Sequence, residues 1–211
     1  MRITKFGHAC VRVEHDGAVV VLDPGVFTDA AALDGADAVL ITHEHPDHYL
    51  PDHLRATAAP IFTIDAVAVR IREDAPEVAD RVTVVAPGDS FDPGIPARAV
   101  GELHAVIHPE LPRFFNSGYV LTGGGERVYH PGDALTPPGE DVDVLLVPVS
   151  APWMRASEAI EFAREVGAPR NLAIHDRVYS EAGLRIVDGH MNAFLPEEGL
   201  EYVRLADGQD L

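Results

Sequence analysis

The stretch His43-Glu44-His45-Pro46-Asp47-His48 places three imidazoles and two carboxylates within six residues. It follows an apolar run typical of a buried strand, residues 37–42, and precedes a segment from Pro51 that is typical of a short helix. We therefore expect a loop at the carboxyl end of a strand, where open α/β sheets place their sites. Imidazoles and carboxylates are ligands of divalent metals such as zinc. A solvated polar loop is the alternative, but such loops seldom show this order of side chains.

The order His-x-His-x-Asp-His resembles the signature of the metallo-β-lactamase superfamily. The resemblance implies that His43 and His45 bind one metal ion, and that Asp47 and His48 bind a second. It also implies three further ligands downstream: a lone His after a later strand, an Asp just after a strand and a final His after another strand.

Two histidines compete for the first of these positions. His104 comes directly after the predicted strand 97–103, and His108 follows four residues later, before Pro109. We prefer His104 because it leaves the strand directly. His108 then becomes a group that supports a ligand or contacts the substrate.

The other two positions are better defined. Asp133 follows a strand that ends in His130-Pro131-Gly132, and His175 follows the predicted strand 171–174. In the superfamily, the Asp of this Gly-Asp pair bridges the two metal ions. His130 is close enough in sequence to point into the same pocket.

The resemblance thus implies a complete dinuclear site. One ion would be bound by His43, His45 and His104, the other by Asp47, His48 and His175, with Asp133 between them. Zinc is the expected metal, although manganese or iron fits the same ligands. Two such ions activate a shared water for hydrolysis. Asp47 would orient that water or transfer a proton, and His8, His108 or His130 would protonate the leaving group. Asp23, Glu44 and Asp176 are candidates for holding the ligands in place.

Composition limits the other possibilities. The 211 residues are expected to form one domain, residues 1–211, and the net charge of −18 argues against nucleic acid as a partner. No apolar run approaches the length of a membrane span, and no signal peptide is visible. With Cys10 as the single cysteine, we expect a cytoplasmic protein without internal disulfides. The sequence leaves the oligomeric state open.

The pattern of apolar residues and turns predicts an α/β protein. The resemblance makes the expected architecture a four-layer αββα sandwich, the metallo-β-lactamase fold. We predict strands at 3–6, 9–14, 18–22, 37–42, 60–63, 81–86, 97–103, 118–122, 127–130, 142–147, 171–174 and 199–205. We predict helices at 51–58, 65–73 and 157–166, with Ser157 as the cap of the last, and a helical turn at 180–185. His53 is expected on the surface of its helix.

The chain most resembles the compact, cytoplasmic group of the superfamily that includes ascorbate-6-phosphate lactonase. The short opening Gly7-His8, the lack of long insertions and the Gly-Asp after a His carry this resemblance. It implies a hydrolase acting on a small ester-type substrate, namely a phosphoester, phosphodiester or lactone. The alternatives are a thiolester hydrolase of the glyoxalase type and a non-catalytic metal-binding or sensor protein on the same fold.

Overall fold

The computed structural model describes residues 1–211 and contains two β-sheets with helices on their outer faces. The six strands of the first sheet lie side by side in chain order: β1 (Arg2–Lys5), β2 (Val11–His15), β3 (Ala18–Leu22), β4 (Ala38–Ile41), β5 (Ile61–Thr63) and β6 (Val82–Val84). The seven strands of the second sheet do the same: β7 (Ser90–Phe91), β8 (Ala97–Val100), β9 (Gly118–Gly123), β10 (Glu126–His130), β11 (Val144–Pro148), β12 (Arg170–Ile174) and β13 (Glu201–Val203).

Both sheets change from antiparallel to parallel pairing part-way across. In the first sheet β1 to β3 are antiparallel and β3 to β6 are parallel. In the second sheet β7 to β10 are antiparallel and β10 to β13 are parallel. Parallel strands need crossovers, and the crossovers put helices on the faces of the sheets.

Four α-helices form the outer layers: α1 (Pro51–Ala56), α2 (Asp65–Asp74), α3 (Ala156–Val166) and α4 (Glu181–Phe194). Short 3-10 turns occupy Ala30–Leu33, Pro76–Arg81 and Pro196–Glu198. None of the helices is both long and apolar enough to cross a lipid bilayer. With two sheets between two helical layers, the predicted αββα sandwich is confirmed.

The central strands are buried on both faces, which explains their continuous apolar sequences. In β4, Leu40 packs between the two sheets, whereas Val39 and Ile41 pack under α1 and α2. In β11, Leu146 lies between the sheets, whereas Leu145 belongs to the core under α3 and α4. The alternation of side chains along each strand thus divides the interior into three apolar layers.

Several predicted boundaries are wrong. Arg155 rather than Ser157 is the N-cap of α3, and the predicted turn at 180–185 is the start of the 14-residue helix α4. Gly189 and the polar residues around it obscured that helix in the sequence. The prediction that His53 lies on the surface is also wrong. Its side chain is buried and turns inward, where its Nδ1 lies 2.8 Å from the Pro24 carbonyl oxygen.

The end of the chain closes the free edge of the first sheet. The Gly208 N–H donates to the Lys5 carbonyl at 2.8 Å, and the Leu211 N–H donates to the Ile3 carbonyl at 2.9 Å. Residues 208–211 thereby satisfy the outer backbone groups of β1, which would otherwise be open to pairing with another chain.

Lys5, the only lysine, is fully buried at the end of β1. Its Nζ donates to Asp176 Oδ1 at 3.0 Å, so Asp176 serves this ion pair rather than a candidate metal ligand. Burial lowers the pKa of Lys5, and the Asp176 carboxylate opposes that effect.

Candidate metal centre

Four loops bring candidate ligands together at one edge of the sandwich. Residues 43–48 follow β4, while His104, Asp133 and His175 follow β8, β10 and β12. The last three strands run in the same direction, because β8 and β10 are each antiparallel to β9 and β12 is parallel to β10 through β11. Their carboxyl ends therefore meet at one edge, where α/β folds form their sites.

The seven residues expected as ligands form two groups of four that share Asp133. Within each group the candidate ligand atoms all lie within 4.8 Å of one another; we call the two groups cluster 1 (His43, His45, His104, Asp133) and cluster 2 (Asp47, His48, Asp133, His175). His104 therefore occupies the position for which His108 was the alternative. The His108 side chain is exposed in the next loop, where its Nδ1 accepts a hydrogen bond from the Glu110 N–H.

In cluster 1 the side chains point their donor atoms at one another. His43 Nε2 and His45 Nδ1 are 3.0 Å apart, and His104 Nε2 lies 3.3 Å from Asp133 Oδ2. His43 Nε2 is 3.9 Å from the same oxygen. Ligand atoms held about 2.0–2.1 Å from one tetrahedral zinc ion lie roughly 3.3 Å from each other. The spacing in cluster 1 therefore fits a small divalent ion.

Cluster 2 is arranged around the other oxygen of Asp133. His48 Nε2 and His175 Nε2 lie 3.0 Å and 3.2 Å from Asp133 Oδ1. Asp47 Oδ2 is 3.2 Å from His175 Nε2 and 3.9 Å from His48 Nε2. Asp133 thus turns one carboxylate oxygen to each cluster.

Outer hydrogen bonds fix the tautomers of three histidines that are candidate ligands. The Nδ1 atoms of His48, His104 and His175 lie 2.7, 2.7 and 2.5 Å from Asp23 Oδ2, the Ala105 carbonyl and the Ser150 carbonyl. All three partners are acceptors, so Nδ1 carries the proton and, in the neutral ring, Nε2 presents a lone pair to the cluster. Metal-binding histidines are typically oriented in this way.

The same reasoning applies to His43. The Thr42 hydroxyl donates to Asp23 Oδ2 at 2.7 Å, so its lone pair is left to accept from His43 Nδ1 at 3.0 Å. Asp23, which is fully buried, also accepts from the Thr42 N–H at 2.8 Å. One buried carboxylate therefore orients ligands of both clusters, as expected for Asp23.

Several buried polar atoms of the centre have no hydrogen-bond partner. They include His48 Nε2, His104 Nε2, His175 Nε2 and Asp133 Oδ1. Unpaired polar groups are costly in a protein interior. Their convergence on two points, with lone pairs facing each other, is what a bound cation would relieve. The residues present therefore fit divalent metal ions.

The electrostatics of the centre depend on its carboxylates. Burial opposes the charged form of His175, but Asp133 outweighs it and raises the pKa of His175 to about 9. Burial likewise opposes the charge on His48, whose pKa is raised by Asp133 and Asp23. Burial lowers the pKa of His43 and His45, so these two rings are neutral.

His130, one of the expected proton-transfer residues, lies beneath the centre rather than in it. The ring is fully buried, its Nε2 lies 2.9 Å from the Ala9 carbonyl, and its Nδ1 accepts from the Gly132 N–H at 3.0 Å. Both nitrogens are engaged by the backbone, which contradicts a role in protonating a leaving group. The ring instead holds the turn that presents Asp133.

His8 lies against cluster 2. Its Nδ1 accepts from the Arg177 N–H at 2.9 Å, so its Nε2 carries the proton and lies 3.2 Å from Asp47 Oδ2. Burial lowers the pKa of His8 to about 4. His8 is therefore neutral and presents its Nε2–H to Asp47.

Two further contacts of Asp133 were not predicted from the sequence. Asn116 Oδ1 accepts from the Asp133 N–H at 3.0 Å while its Nδ2 donates to the Pro131 carbonyl at 2.9 Å, so the side chain clamps the turn 131–133. Trp153 Nε1 donates to Asp133 Oδ2 at 3.3 Å. Both contacts join segments that are distant in sequence, so no local pattern reports them.

Comparison with known proteins gives the family. The protein-family model described as the β-lactamase superfamily domain matches residues 2–175 of the chain. The chain belongs to the metallo-β-lactamase superfamily. Among its superfamily relatives, protein Rv0786c from Mycobacterium tuberculosis is 36% identical, over 94% of this chain and 98% of that protein. A UPF0173 metal-dependent hydrolase from Methanosphaerula palustris is 30% identical, over 83% of each chain.

A solved structure supports the fold of this superfamily member. The metallo hydrolase Igni18 from the archaeon Ignicoccus hospitalis superposes with a TM-score of 0.76 at 18% identity, covering 100% of this chain and 97% of that one. The predictions of family, fold class and metallohydrolase class are confirmed.

Proposed function

We propose that the protein hydrolyses a small ester-type substrate with two divalent metal ions bound in clusters 1 and 2. The observation that carries the proposal is Asp133, whose Oδ2 faces His104 while its Oδ1 faces His48 and His175. A carboxylate shared in this way suits a pair of ions. The imidazole-rich ligand set favours zinc, and manganese or iron remains compatible with it.

Bound ions would activate water and polarise the substrate oxygen, and the protein supplies the rest of the chemistry. Asp47 is the one carboxylate ligand that is partly open to solvent, with 22% of its side chain exposed. Burial opposes the charge on Asp47, but His175 and His8 outweigh it and lower the pKa of Asp47, so the carboxylate stays ionised and is suited to orient a water rather than to take up its proton. His8 Nε2–H faces the same carboxylate, 3.2 Å from Asp47 Oδ2.

We assign His108 to the substrate side of the reaction. It is exposed in the loop between His104 and Phe114, and its Nδ1 is engaged by the Glu110 N–H. We propose that its Nε2 protonates the leaving group. A phosphoester, phosphodiester or lactone is compatible with this arrangement.

The proposal extends to the whole chain. Ligands come from both sheets, so we take residues 1–211 to work as one domain. We also propose a small-molecule substrate rather than nucleic acid, because the net charge is −18, and a cytoplasmic location.

Metal content tests the proposal. Elemental mass spectrometry of the purified protein should find about two zinc ions per chain. A His104→Ala variant should lose metal, whereas a His108→Ala variant should keep it. Hydrolysis of 4-nitrophenyl acetate and of bis(4-nitrophenyl) phosphate should be compared before and after chelation. Less than half a metal ion per chain after reloading, or no chelator-sensitive turnover of any ester, thiolester or lactone, would favour a non-catalytic binding protein instead.

A further inference from the structure

Large apolar side chains are exposed in three loops around the metal centre. Nine of the protein's thirteen exposed large apolar residues lie there, and we call them the apolar rim: Val26, Phe27, Val106, Ile107, Leu111, Phe114, Phe115, Val178 and Tyr179. Scattered apolar residues are normal on a surface, but a concentration of them marks a binding site.

Contacts connect the rim to the clusters. The Phe114 ring lies 4.5 Å from the His45 ring, and the Phe27 ring lies 5.2 Å from the His8 ring, both measured between centroids. The Val26 N–H donates to the Pro46 carbonyl at 2.8 Å. The rim therefore begins at the candidate ligands themselves.

An apolar cavity of about 300 Å³ continues from the rim. Its apolar lining includes Ile64, Val84, Val85 and Phe115, and Asn116 and the exposed Asp65 and Glu102 also line it. Asn116 also holds the backbone of Asp133. The cavity therefore adjoins the turn that carries the shared carboxylate, and its volume is at the lower end of the range for small-molecule pockets.

The cationic side chains of the site segments are mostly engaged elsewhere. Arg113 donates to the His104 carbonyl from both Nε and Nη2, at 3.0 and 2.5 Å. Arg177 pairs with Asp207 at 2.5 Å. Arg155, which is exposed two residues after Trp153, is left without a carboxylate partner. A phosphorylated substrate carries charge that such groups would have to match.

We propose that the substrate is an uncharged carboxylic ester or lactone whose acyl part is an apolar chain or ring. The acyl part packs on the apolar rim and enters the cavity beside Phe115. Water adds to the acyl carbon, the bond from that carbon to the alkoxy oxygen breaks, and the alkoxy oxygen takes up a proton. The products are a carboxylic acid and an alcohol from an open-chain ester, or a single hydroxy acid from a lactone, and this inference rests on the proposed hydrolytic function.

A series of 4-nitrophenyl esters from acetate to octanoate tests the inference on the zinc-loaded protein. We expect kcat/KM to rise about two- to fourfold for each added methylene, mainly through KM, because each methylene leaves water. Phe114→Ser and Phe115→Ser should flatten this dependence. Ile186→Ser, which removes an exposed apolar side chain on α4, is the matched control and should leave the dependence on chain length unchanged.

Binding provides a second readout that does not need turnover. Trp153 is the only tryptophan and touches Asp133, so its fluorescence reports on the centre. Octanoate should bind at least tenfold more tightly than acetate or inorganic phosphate. Phe115→Ser should remove most of that difference while circular dichroism shows an intact fold.

Each contrary outcome has a separate meaning. Absence of turnover with esters and phosphates alike would overturn the proposed function, and the octanoate titration would still decide the role of the rim. Faster turnover of phosphates than of octanoyl esters, lost in Arg155→Ala, would overturn the inference and leave the hydrolase standing. A dependence on chain length that Phe114→Ser and Phe115→Ser leave unchanged would also overturn it. So would binding to phosphatidylcholine vesicles without binding of octanoate.

Discussion

The two oxygens of Asp133 face different groups of imidazoles, and the position of this carboxylate depends on side chains that are not candidate ligands. Asn116 holds the backbone N–H of Asp133, Trp153 donates to its Oδ2, and His130 accepts from the N–H of Gly132. Partners of this kind commonly change metal affinity by about 10–100-fold when they are removed. Single substitutions of these partners should therefore weaken metal binding even though every candidate ligand is kept.

Replacement of Asn116 by alanine should weaken zinc binding by about 10–100-fold, because the turn 131–133 loses both of its hydrogen bonds from that side chain. Competition with a chromophoric chelator would measure the affinity. The substitution also leaves the buried N–H of Asp133 unpaired, so the free energy of unfolding should fall by about 1–3 kcal/mol. Urea unfolding of the metal-free variant separates the two effects. Unchanged zinc affinity would refute the role given to Asn116.

The pKa of His175 predicts how the stability of the metal-free protein depends on pH. Burial by itself would lower the pKa of His175, but the Asp133 carboxylate outweighs burial and raises this pKa to about 9. Because the folded pKa exceeds the ordinary value of 6.5, the contribution of His175 is fully present below pH 6.5 and is lost as the pH rises towards 9. The free energy of unfolding in EDTA should therefore fall over this window.

The control for this prediction is His175→Gln, which lacks the titrating ring. Urea unfolding of both proteins in EDTA at pH 6 and pH 9 should show a smaller pH-dependent loss in the variant. Equal losses in the two proteins would contradict the prediction.

At the scale of the elements, the local sequence predicted the existence of the strands better than it predicted their first and last residues. Continuous apolar runs identified β4 and β11, since strands buried on both faces carry mostly apolar residues. The two-residue strand β7 was missed because so short a strand is defined only by its pairing with β8. Helix α4 was predicted as one turn, since exposed polar residues and Gly189 interrupt its apolar stripe.

Close packing of loops limits substitution at Gly25, which follows β3. A Cβ built there would lie 2.0 Å from the Asp47 carbonyl oxygen and 2.5 Å from the His48 nitrogen. Both are backbone atoms of the candidate metal loop and cannot rotate away. Gly25→Ala should therefore cost about 3 kcal/mol or more and weaken metal binding.

The matched control is Gly189→Ala within α4, where an added Cβ meets no atom within 4 Å. Alanine should stabilise this helix by about 0.5–1 kcal/mol. Thermal unfolding with and without zinc would measure both variants. A neutral Gly25→Ala substitution would show that the loop after β3 does not constrain the metal loop.

At the scale of the molecule, each cluster takes ligands from both sheets. His43 and His45 follow a strand of the first sheet, whereas His104 and Asp133 follow strands of the second. All seven residues of the two clusters were expected from sequence, because each directly follows a recognisable strand or lies in one short loop. The contacts of His8 with Asp47 and of Asn116 with Asp133 depend on packing between distant segments, which sequence patterns do not report.

Chelation should therefore destabilise the whole sandwich rather than one loop. Zinc at about 1,000 times its dissociation constant adds about 4 kcal/mol for each site. At about 2–4 °C per kcal/mol for a chain of this size, two sites should raise Tm by roughly 16–32 °C. Calorimetry with zinc and with EDTA would measure the shift. A difference below a few degrees would mean that the ions do not link the two sheets.

The buried ion pair of Lys5 with Asp176 has a practical consequence for the chemistry of the surface. An acylating reagent that targets lysine finds no ε-amine on the folded protein, because the only one is enclosed. Cross-linking or immobilisation through lysine will therefore fail unless the chain opens. The fraction of chains acylated at Lys5, measured by peptide mass mapping, therefore reports the fraction of molecules that have unfolded.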